Sequence, residues 1–157
     1  DLLDELKLLD PGRRTAAVSG ILQSLGCSQG MCGPLRPLTV EQLRRLASSQ
    51  HVTIGAHSHC HNLLDQLSFE DILATIRMSK CLLEEWTGRG VHYFAYPNGN
   101  YDERVVRAVQ TTGLSCAMTV DQKAWKGADS LFTIPRIGVG RYDHLDLFRA
   151  KVSRFLA

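Results

Sequence analysis

The sequence predicts an α/β protein with a parallel sheet. Short runs rich in β-branched and aromatic residues alternate with longer segments whose apolar residues recur every three or four positions. Strands that alternate with helices are joined by crossover connections, and such connections produce parallel strands. The 157 residues are enough for one domain with its own core. We therefore expect a single domain over residues 1–157.

The first part of the chain is predicted to be helical. Leucines recur on one side of residues 1–9, which indicates a short helix that stops at Asp10-Pro11-Gly12. A second helix is expected over about 13–25, with Gly26 behind it as the residue that ends it. Glycines and prolines then predict a loop over 27–37.

A third helix is predicted from a capping box. Thr39 can accept a hydrogen bond from the first free amides, and Gln42 is placed to reach back to the backbone. The helix should run to about Ser48, with Leu43 and Leu46 buried.

The expected sheet follows this helix. The strands are predicted over 52–56, 92–96, 115–120 and about 132–134. The helices between and after them are predicted over 69–87, 101–111 and about 143–156. Ser68 and Gly88 mark the two ends of the longest helix.

Composition limits the classes of function. A hydrophobic content of 44% and a charged content of 22% are typical of a soluble globular protein. The formal charge of +2 is too small to indicate a nucleic-acid partner. The five cysteines are odd in number and lack a CxxC pair, which favours free thiols. No run is long enough to cross a bilayer, and the first residues lack the pattern of a signal peptide.

A histidine cluster carries the clearest chemical signal. His57, His59 and His61 alternate directly after the strand predicted at 52–56. Neutral imidazole binds zinc, and the spacing of His57 and His61 is a common one for metal ligands. The chemistry of α/β proteins gathers where strands end, so we expect a metal site here, although such histidines also occur on loops that bind nothing. Ser58 replaces the glutamate of the helical metalloprotease motif, which excludes that class.

Three segments resemble one family. The segment Ile54-Gly-Ala-His-Ser-His-Cys-His-Asn-Leu-Leu64 resembles the His-Ser/Thr-x-x-His motif of the polysaccharide deacetylases, the NodB-homology group of carbohydrate esterases. Tyr93-Phe-Ala-Tyr-Pro-Asn-Gly99 resembles a variant of that family's next motif, and Ile134-Pro-Arg-Ile137 matches a later segment. The motifs occur in the order of the family, and the resemblance covers about residues 39–142.

The resemblance implies a distorted β/α barrel, here incomplete and lacking its opening strands. Residues 1–38 are similar to a helical insertion, and residues 39–157 carry the motifs. The family's first motif, an Asp-Asp pair on the opening strand, has no counterpart in this sequence.

The resemblance also implies an activity, the metal-dependent removal of acetyl groups from N-acetylated polysaccharide or oligosaccharide. The cofactor would be a divalent metal, most simply Zn²⁺, with His57 and His61 as ligands. In the family the third ligand and the catalytic base are the two aspartates of the first motif, so both roles are vacant here. Family resemblance places such a protein outside the cytoplasm or in the cell envelope.

Further residues receive roles by the same resemblance. Tyr96, Pro97 and Asn98 are expected to bind substrate, with an ordinary proline-glycine turn as the alternative. Arg136 is a candidate catalytic residue, because it could replace the family arginine that is absent at Ala95, but a structural arginine is an equal alternative. Cys60 is expected to be a buried structural thiol.

Two other functions stay open. The chain could be a non-catalytic carbohydrate-binding or assembly module on the same fold, or a metal-dependent hydrolase of other small C–N substrates. An unpaired strand edge at 52–56, together with the apolar leucines near the amino terminus, predicts a homodimer or a monomer covered by its first helices.

Overall fold

A computed structural model describes residues 1–27, 36–127 and 130–156. The chain forms two compact units, residues 1–43 and residues 44–157, and each is described by itself. The predicted loop at 27–37 lies largely outside the described residues. The expectation of one domain over the whole chain stays a prediction.

The helices α1 (Leu2–Leu8) and α2 (Pro11–Ser24) lie in the first unit. Asp10 accepts hydrogen bonds from the amides of Gly12 and Arg13, so α2 begins at Pro11, two residues before the predicted start. Gly26 follows α2 with φ of 65°, a left-handed conformation that favours glycine, as the sequence predicts.

Helix α3 (Val40–Ser48) begins at the predicted capping box. The Thr39 amide donates to Gln42 Oε1 at 2.9 Å, and the Gln42 amide donates to Thr39 Oγ1 at 3.2 Å. Leu46 is 40% exposed, so its predicted burial was wrong. Ala47 is buried instead, because apolar residues at adjacent positions leave open which of them faces the core.

Within the described residues, the sheet consists of two parallel strands, β1 (Tyr93–Ala95) and β2 (Cys116–Met118). Ala56 forms a single parallel bridge to the middle of β1, and Ile134 forms one to the end of β2. The predicted strands at 52–56 and 132–134 are therefore reduced to one bridge each. The association predicted from the edge at 52–56 stays a prediction.

Three helices accompany the sheet: α4 (Phe69–Thr87), α5 (Glu103–Gln110) and α6 (Leu145–Leu156). Helix α4 has the predicted bounds, because Ser68 accepts a hydrogen bond from the Asp71 amide and Gly88 adopts the left-handed conformation. None of the helices in the described part of the chain is both long and apolar enough to cross a membrane.

The core of the second unit lies between the sheet and the helices α4 and α5. Its members are buried apolar side chains from these elements, among them Ile72, Ile76, Phe94, Tyr96, Val105, Val109 and Ala117. Burial of these side chains is the main force that fixes the sheet on the helices. The same packing holds the ends of the strands in place.

Candidate functional site

Four chain segments end at one edge of the sheet. His57 follows the bridge residue Ala56, Tyr96 follows β1, Thr119 follows β2, and Pro135 follows the bridge residue Ile134. All pairings are parallel, so the carboxyl ends of the four segments lie on the same side. Ligand sites of α/β proteins lie at this edge. The candidate residues predicted from the sequence follow these ends.

His57 is fixed by the neighbouring strand. Its Nδ1 atom lies 2.7 Å from the carbonyl oxygen of Ala95, the last residue of β1. A carbonyl oxygen only accepts, so Nδ1 carries the proton and donates. In the neutral imidazole, the lone pair then lies on the other ring nitrogen, Nε2. This is the arrangement in which a metal-binding histidine is oriented by a backbone carbonyl.

His61 is brought next to His57 by a tight loop. Ser58 and His61 both have positive φ, 60° and 53°. The His61 amide donates to Ser58 Oγ at 3.0 Å, and this hydrogen bond closes the loop. The two imidazole rings meet edge to face, with centroids 4.8 Å apart. The loop therefore places the two predicted ligands side by side.

These residues fit part of a divalent metal site. The imidazoles of His57 and His61 are adjacent and exposed, and the orientation of His57 leaves Nε2 available. Among the described residues, no group of three or more His, Cys, Asp and Glu side chains could hold a metal ion. Cys60 is exposed, so its predicted burial was wrong, because it lies on an exposed stretch of the loop between His59 and His61. The donor set is thus two imidazoles.

The three residues predicted to bind substrate have different environments. Tyr96 is only 1% exposed, its hydroxyl donates to the carbonyl oxygen of Phe132 at 2.7 Å, and burial raises its pKa. Pro97 is also buried, whereas Asn98 is exposed with φ of 55°. Of the three, Asn98 is the residue that solvent can reach. The substrate-binding role of all three stays a prediction.

The turn at 97–99 leaves one backbone donor without a described partner. The Gly99 amide donates to the Tyr96 carbonyl at 3.0 Å, and the Asn100 amide donates to the Pro97 carbonyl at 3.3 Å. For the Asn98 amide, no acceptor occurs within the described ranges. A backbone N–H at a strand end is the kind of donor that stabilises a developing oxyanion.

Arg136 is tied to the end of β2. Its Nε donates to the Thr119 carbonyl at 2.6 Å, and its amide donates to the Asp121 carbonyl at 3.0 Å. Within the part of the chain that the structure describes, Arg136 has no carboxylate at ion-pair distance. Arg136 lies at the same edge of the sheet as the histidines, and its catalytic role stays a prediction.

Comparison with protein families gives a match over residues 21–117, and the matching family is described as polysaccharide deacetylase. This match covers more than half of the chain. The chain belongs to the polysaccharide deacetylase family. No curated protein matches the sequence significantly.

Solved structures support the same fold for this family member. A Streptococcus pyogenes deacetylase, PplD, in complex with acetate has a TM-score of 0.69 at 18% identity, and the match covers 85% of this chain and 62% of that one. A polysaccharide deacetylase from Bacillus cereus has a TM-score of 0.67 at 18% identity, and the match covers 88% of this chain and 48% of that one. A de-N-acetylase from Aggregatibacter actinomycetemcomitans has a TM-score of 0.59 at 12% identity, and the match covers 87% of this chain and 69% of that one.

The chain thus spans less than two thirds of the length of the first two of these structures. At such identities the likeness shows the fold, which is part of the β/α barrel of the deacetylases. The predicted fold class, an incomplete and distorted β/α barrel, and the predicted family are confirmed.

Sequence reasoning missed two residues near the deacetylase motifs. Asp121 follows β2 by three positions, and its carboxylate accepts a hydrogen bond from the Tyr101 hydroxyl at 3.1 Å. Burial and this hydrogen bond raise the pKa of Tyr101. Asn100 donates to the carboxylate of Asp65 at 3.1 Å. Asp121 could have been found by its position after a predicted strand, whereas the contact of Asn100 has no signal in the sequence.

Proposed function

We propose that this chain carries the histidine half of a metal-dependent deacetylase site that acts on N-acetylated carbohydrate. His57 and His61 would hold one divalent ion, most simply Zn²⁺. The observation that carries the proposal is the 2.7 Å contact between His57 Nδ1 and the Ala95 carbonyl, because it leaves Nε2 as a free ligand beside the ring of His61. Membership of the polysaccharide deacetylase family supports the substrate class.

When bound, a divalent metal supplies a Lewis acid for the amide carbonyl and lowers the pKa of its water ligand. The residues of this chain would hold the ion and stabilise the charge that develops on the substrate. His57 and His61 bind the ion, with Ser58 holding the backbone of their loop. The free amide of Asn98 would donate to the oxygen on which negative charge develops.

Arg136 would act at the opposite side of the edge. Its Nε bond to the Thr119 carbonyl fixes the guanidinium at the end of β2. A guanidinium whose terminal amino groups are unoccupied can bind a carboxylate through two parallel hydrogen bonds. In this proposal Arg136 orients a carboxylate at the site.

The metal site can be tested by equilibrium dialysis of the chain against Zn²⁺. The wild type should retain one ion weakly, and a His57→Ala, His61→Ala double variant should retain none. A His51→Ala variant is the matched control, because His51 is also exposed but lies before the motif. Equal metal content in all three proteins would remove the proposed site.

The substrate class is tested separately. An N-acetylglucosamine oligomer, titrated while amide resonances are recorded by NMR, should shift Asn98 and the residues of the His57 loop. The unacetylated glucosamine oligomer should shift them less, since the acetyl group is the part that the site would recognise. Equal shifts with both oligomers would contradict a deacetylase site.

A further inference from the structure

A chain of side-chain amides joins the two loops that carry the site. Asn98 Nδ2 donates to Asn100 Oδ1 at 2.7 Å, and Asn100 Nδ2 donates to Asp65 Oδ2 at 3.1 Å. Asn98 lies in the turn after β1, and Asp65 lies in the short 3₁₀ helix Leu64–Gln66, which follows the loop that contains His61. Asn100 is therefore a side chain that connects these two segments, in addition to the contact of His57 with Ala95.

One end of this chain is anchored in helix α5. The guanidinium of Arg104 donates to the carbonyl oxygen of Asp65 at 2.8 Å and to that of Leu67 at 2.5 Å. These bonds fix the backbone of Asp65 independently of its carboxylate. Asp65 thus offers a stationary acceptor, and Asn98 is the exposed end that the chain holds in place.

Among the described residues, no donor other than the Asn100 amide contacts the carboxylate of Asp65. The second carboxylate oxygen, Oδ1, is buried and has no partner among the described residues. A buried acceptor that loses its partner retains the cost of its desolvation. Loss of the Asn100 amide would leave both oxygens of Asp65 unpaired, so the segment from His61 to Asp65 would have to rearrange to expose them to water, while Arg104 still holds the Asp65 carbonyl.

Both loops also hold a residue in a sparsely populated conformation. His61 has φ of 53° and Asn98 has φ of 55°. Such a backbone conformation costs free energy in a residue other than glycine and persists only when surrounding interactions hold it. The amide chain connects the segments in which these two residues lie.

We propose that Asn100 is a positioning residue that couples the placement of His61 to that of Asn98. This inference rests on the proposed function, since it concerns the ligand and the amide donor of the same site. Asn100 itself touches neither the metal nor the substrate. It acts by keeping the His61 loop and the Asn98 turn at a fixed separation.

The chain offers a matched exchange of partners as a test. Asn100→Ala removes both hydrogen bonds, and Asn100→Asp places two carboxylates against each other. In the double variant Asp65→Asn, Asn100→Asp the amide and the carboxylate exchange places. The carboxylate introduced at position 100 accepts from Asn98 and from the new amide at position 65. Asp65→Asn alone retains an acceptor for Asn100 and is the conservative control.

Two measurements test whether Asn100 couples the placement of His61 to that of Asn98. The first is the backbone amide resonance of His61. This amide donates to Ser58 rather than to Asn100, and its resonance should shift in Asn100→Ala and Asn100→Asp. It should return to the wild-type position in the double variant and stay there in Asp65→Asn. The second is the Kd for Zn²⁺ alone, which should rise about tenfold in the two single variants at position 100 and recover in the exchange.

Thermal unfolding of each variant shows that the fold is intact. If Asn100→Asp does not fold, Asn100→Ala decides the test. A folded Asn100→Ala protein with the wild-type His61 resonance would overturn the inference. A wild-type chain that binds no Zn²⁺ would overturn the proposed function, while the His61 resonance would still decide the role of Asn100.

Discussion

The Nδ1 atom of His57 donates to the carbonyl oxygen of Ala95 across a distance of 2.7 Å. This bond connects the loop that carries His57 and His61 to the end of β1, because Ala95 is the last residue of that strand. The contact has two consequences, which can be separated by experiment. It adds to the stability of the loop, and it sets which nitrogen of His57 is free to bind a metal.

His57→Asn should separate these consequences. The side-chain amide of asparagine can donate to Ala95 from about the position of Nδ1, but it has no atom in the place of Nε2. We expect the stability of His57→Asn to stay within about 0.5 kcal/mol of the wild type, with loss of Zn²⁺ binding. His57→Ala should lose the binding and also about 1 kcal/mol of stability. Urea unfolding and Zn²⁺ titration of both variants measure this. Retained Zn²⁺ binding in His57→Asn would exclude Nε2 as the ligand atom.

Gly99 is required by the turn that follows β1. It has φ of 84°, and a Cβ atom added at this position would clash with Val120 Cγ2. Gly113 has φ of 72°, and no atom lies within 4 Å of the place that an added Cβ would take, so Gly113→Ala carries the backbone cost alone. We expect that cost to be about 1–2 kcal/mol. Gly99→Ala should lose at least about 1 kcal/mol more, because of the clash.

Urea unfolding of the two glycine variants measures this difference. Gly99→Ala combined with Val120→Ala should recover part of the additional loss, since the clashing methyl groups are gone. Equal stabilities of Gly99→Ala and Gly113→Ala would show that Val120 does not restrict the turn.

Sequence reasoning succeeded where the signals are local. Helix α4 has its predicted bounds because Ser68 and Gly88 act through the backbone next to them. The histidine loop was found for the same reason, since the spacing of His57 and His61 is read directly from neighbouring residues. The family motifs are likewise short and contiguous.

The remaining features depend on partners in space. The predicted strand at 52–56 forms only the bridge at Ala56, because the extent of a strand is set by the hydrogen bonds of its neighbours. The burial of Tyr96 follows from its packing against Phe94 and Tyr101, which no local pattern specifies. The contact of Asn100 with Asp65 joins residues 35 positions apart.

Asp102 should give α5 a pH-dependent stability. The amide of Val105 donates to its carboxylate at 2.8 Å, and this bond, with Arg104 beside it, lowers the pKa of Asp102. A lowered pKa means that the stabilisation is fully present above the unfolded value of about 3.9. It is lost as the pH falls through the lower value of the folded state.

Variants at position 102 provide the measurement. Asp102→Ala should cost about 1 kcal/mol near pH 7, and the difference from the wild type should decrease below about pH 4. Asp102→Asn keeps a capping oxygen that does not titrate, so its difference from Asp102→Ala should change little with pH. Urea unfolding from pH 7 to pH 2.5 tests both. A wild-type advantage that persists unchanged at pH 2.5 would contradict the role of the charged carboxylate.

The deacetylase activity of the 157-residue chain by itself should be very low. The sequence has no Asp-Asp pair, and no third carboxylate, thiol or imidazole joins the two histidines among the described residues. A general base typically contributes about 10²- to 10⁴-fold to the rate. An assay of acetate release from an N-acetylglucosamine oligomer should therefore give almost no signal above the His57→Ala, His61→Ala control. Addition of a preceding segment with paired aspartates should raise the rate, and His57→Ala should abolish that gain.

Substantial acetate release by the chain alone would show that one of its own residues serves as the base. Asp121 would be the first residue to examine. Oligomer binding with no gain from the added segment would instead favour a non-catalytic carbohydrate-binding module.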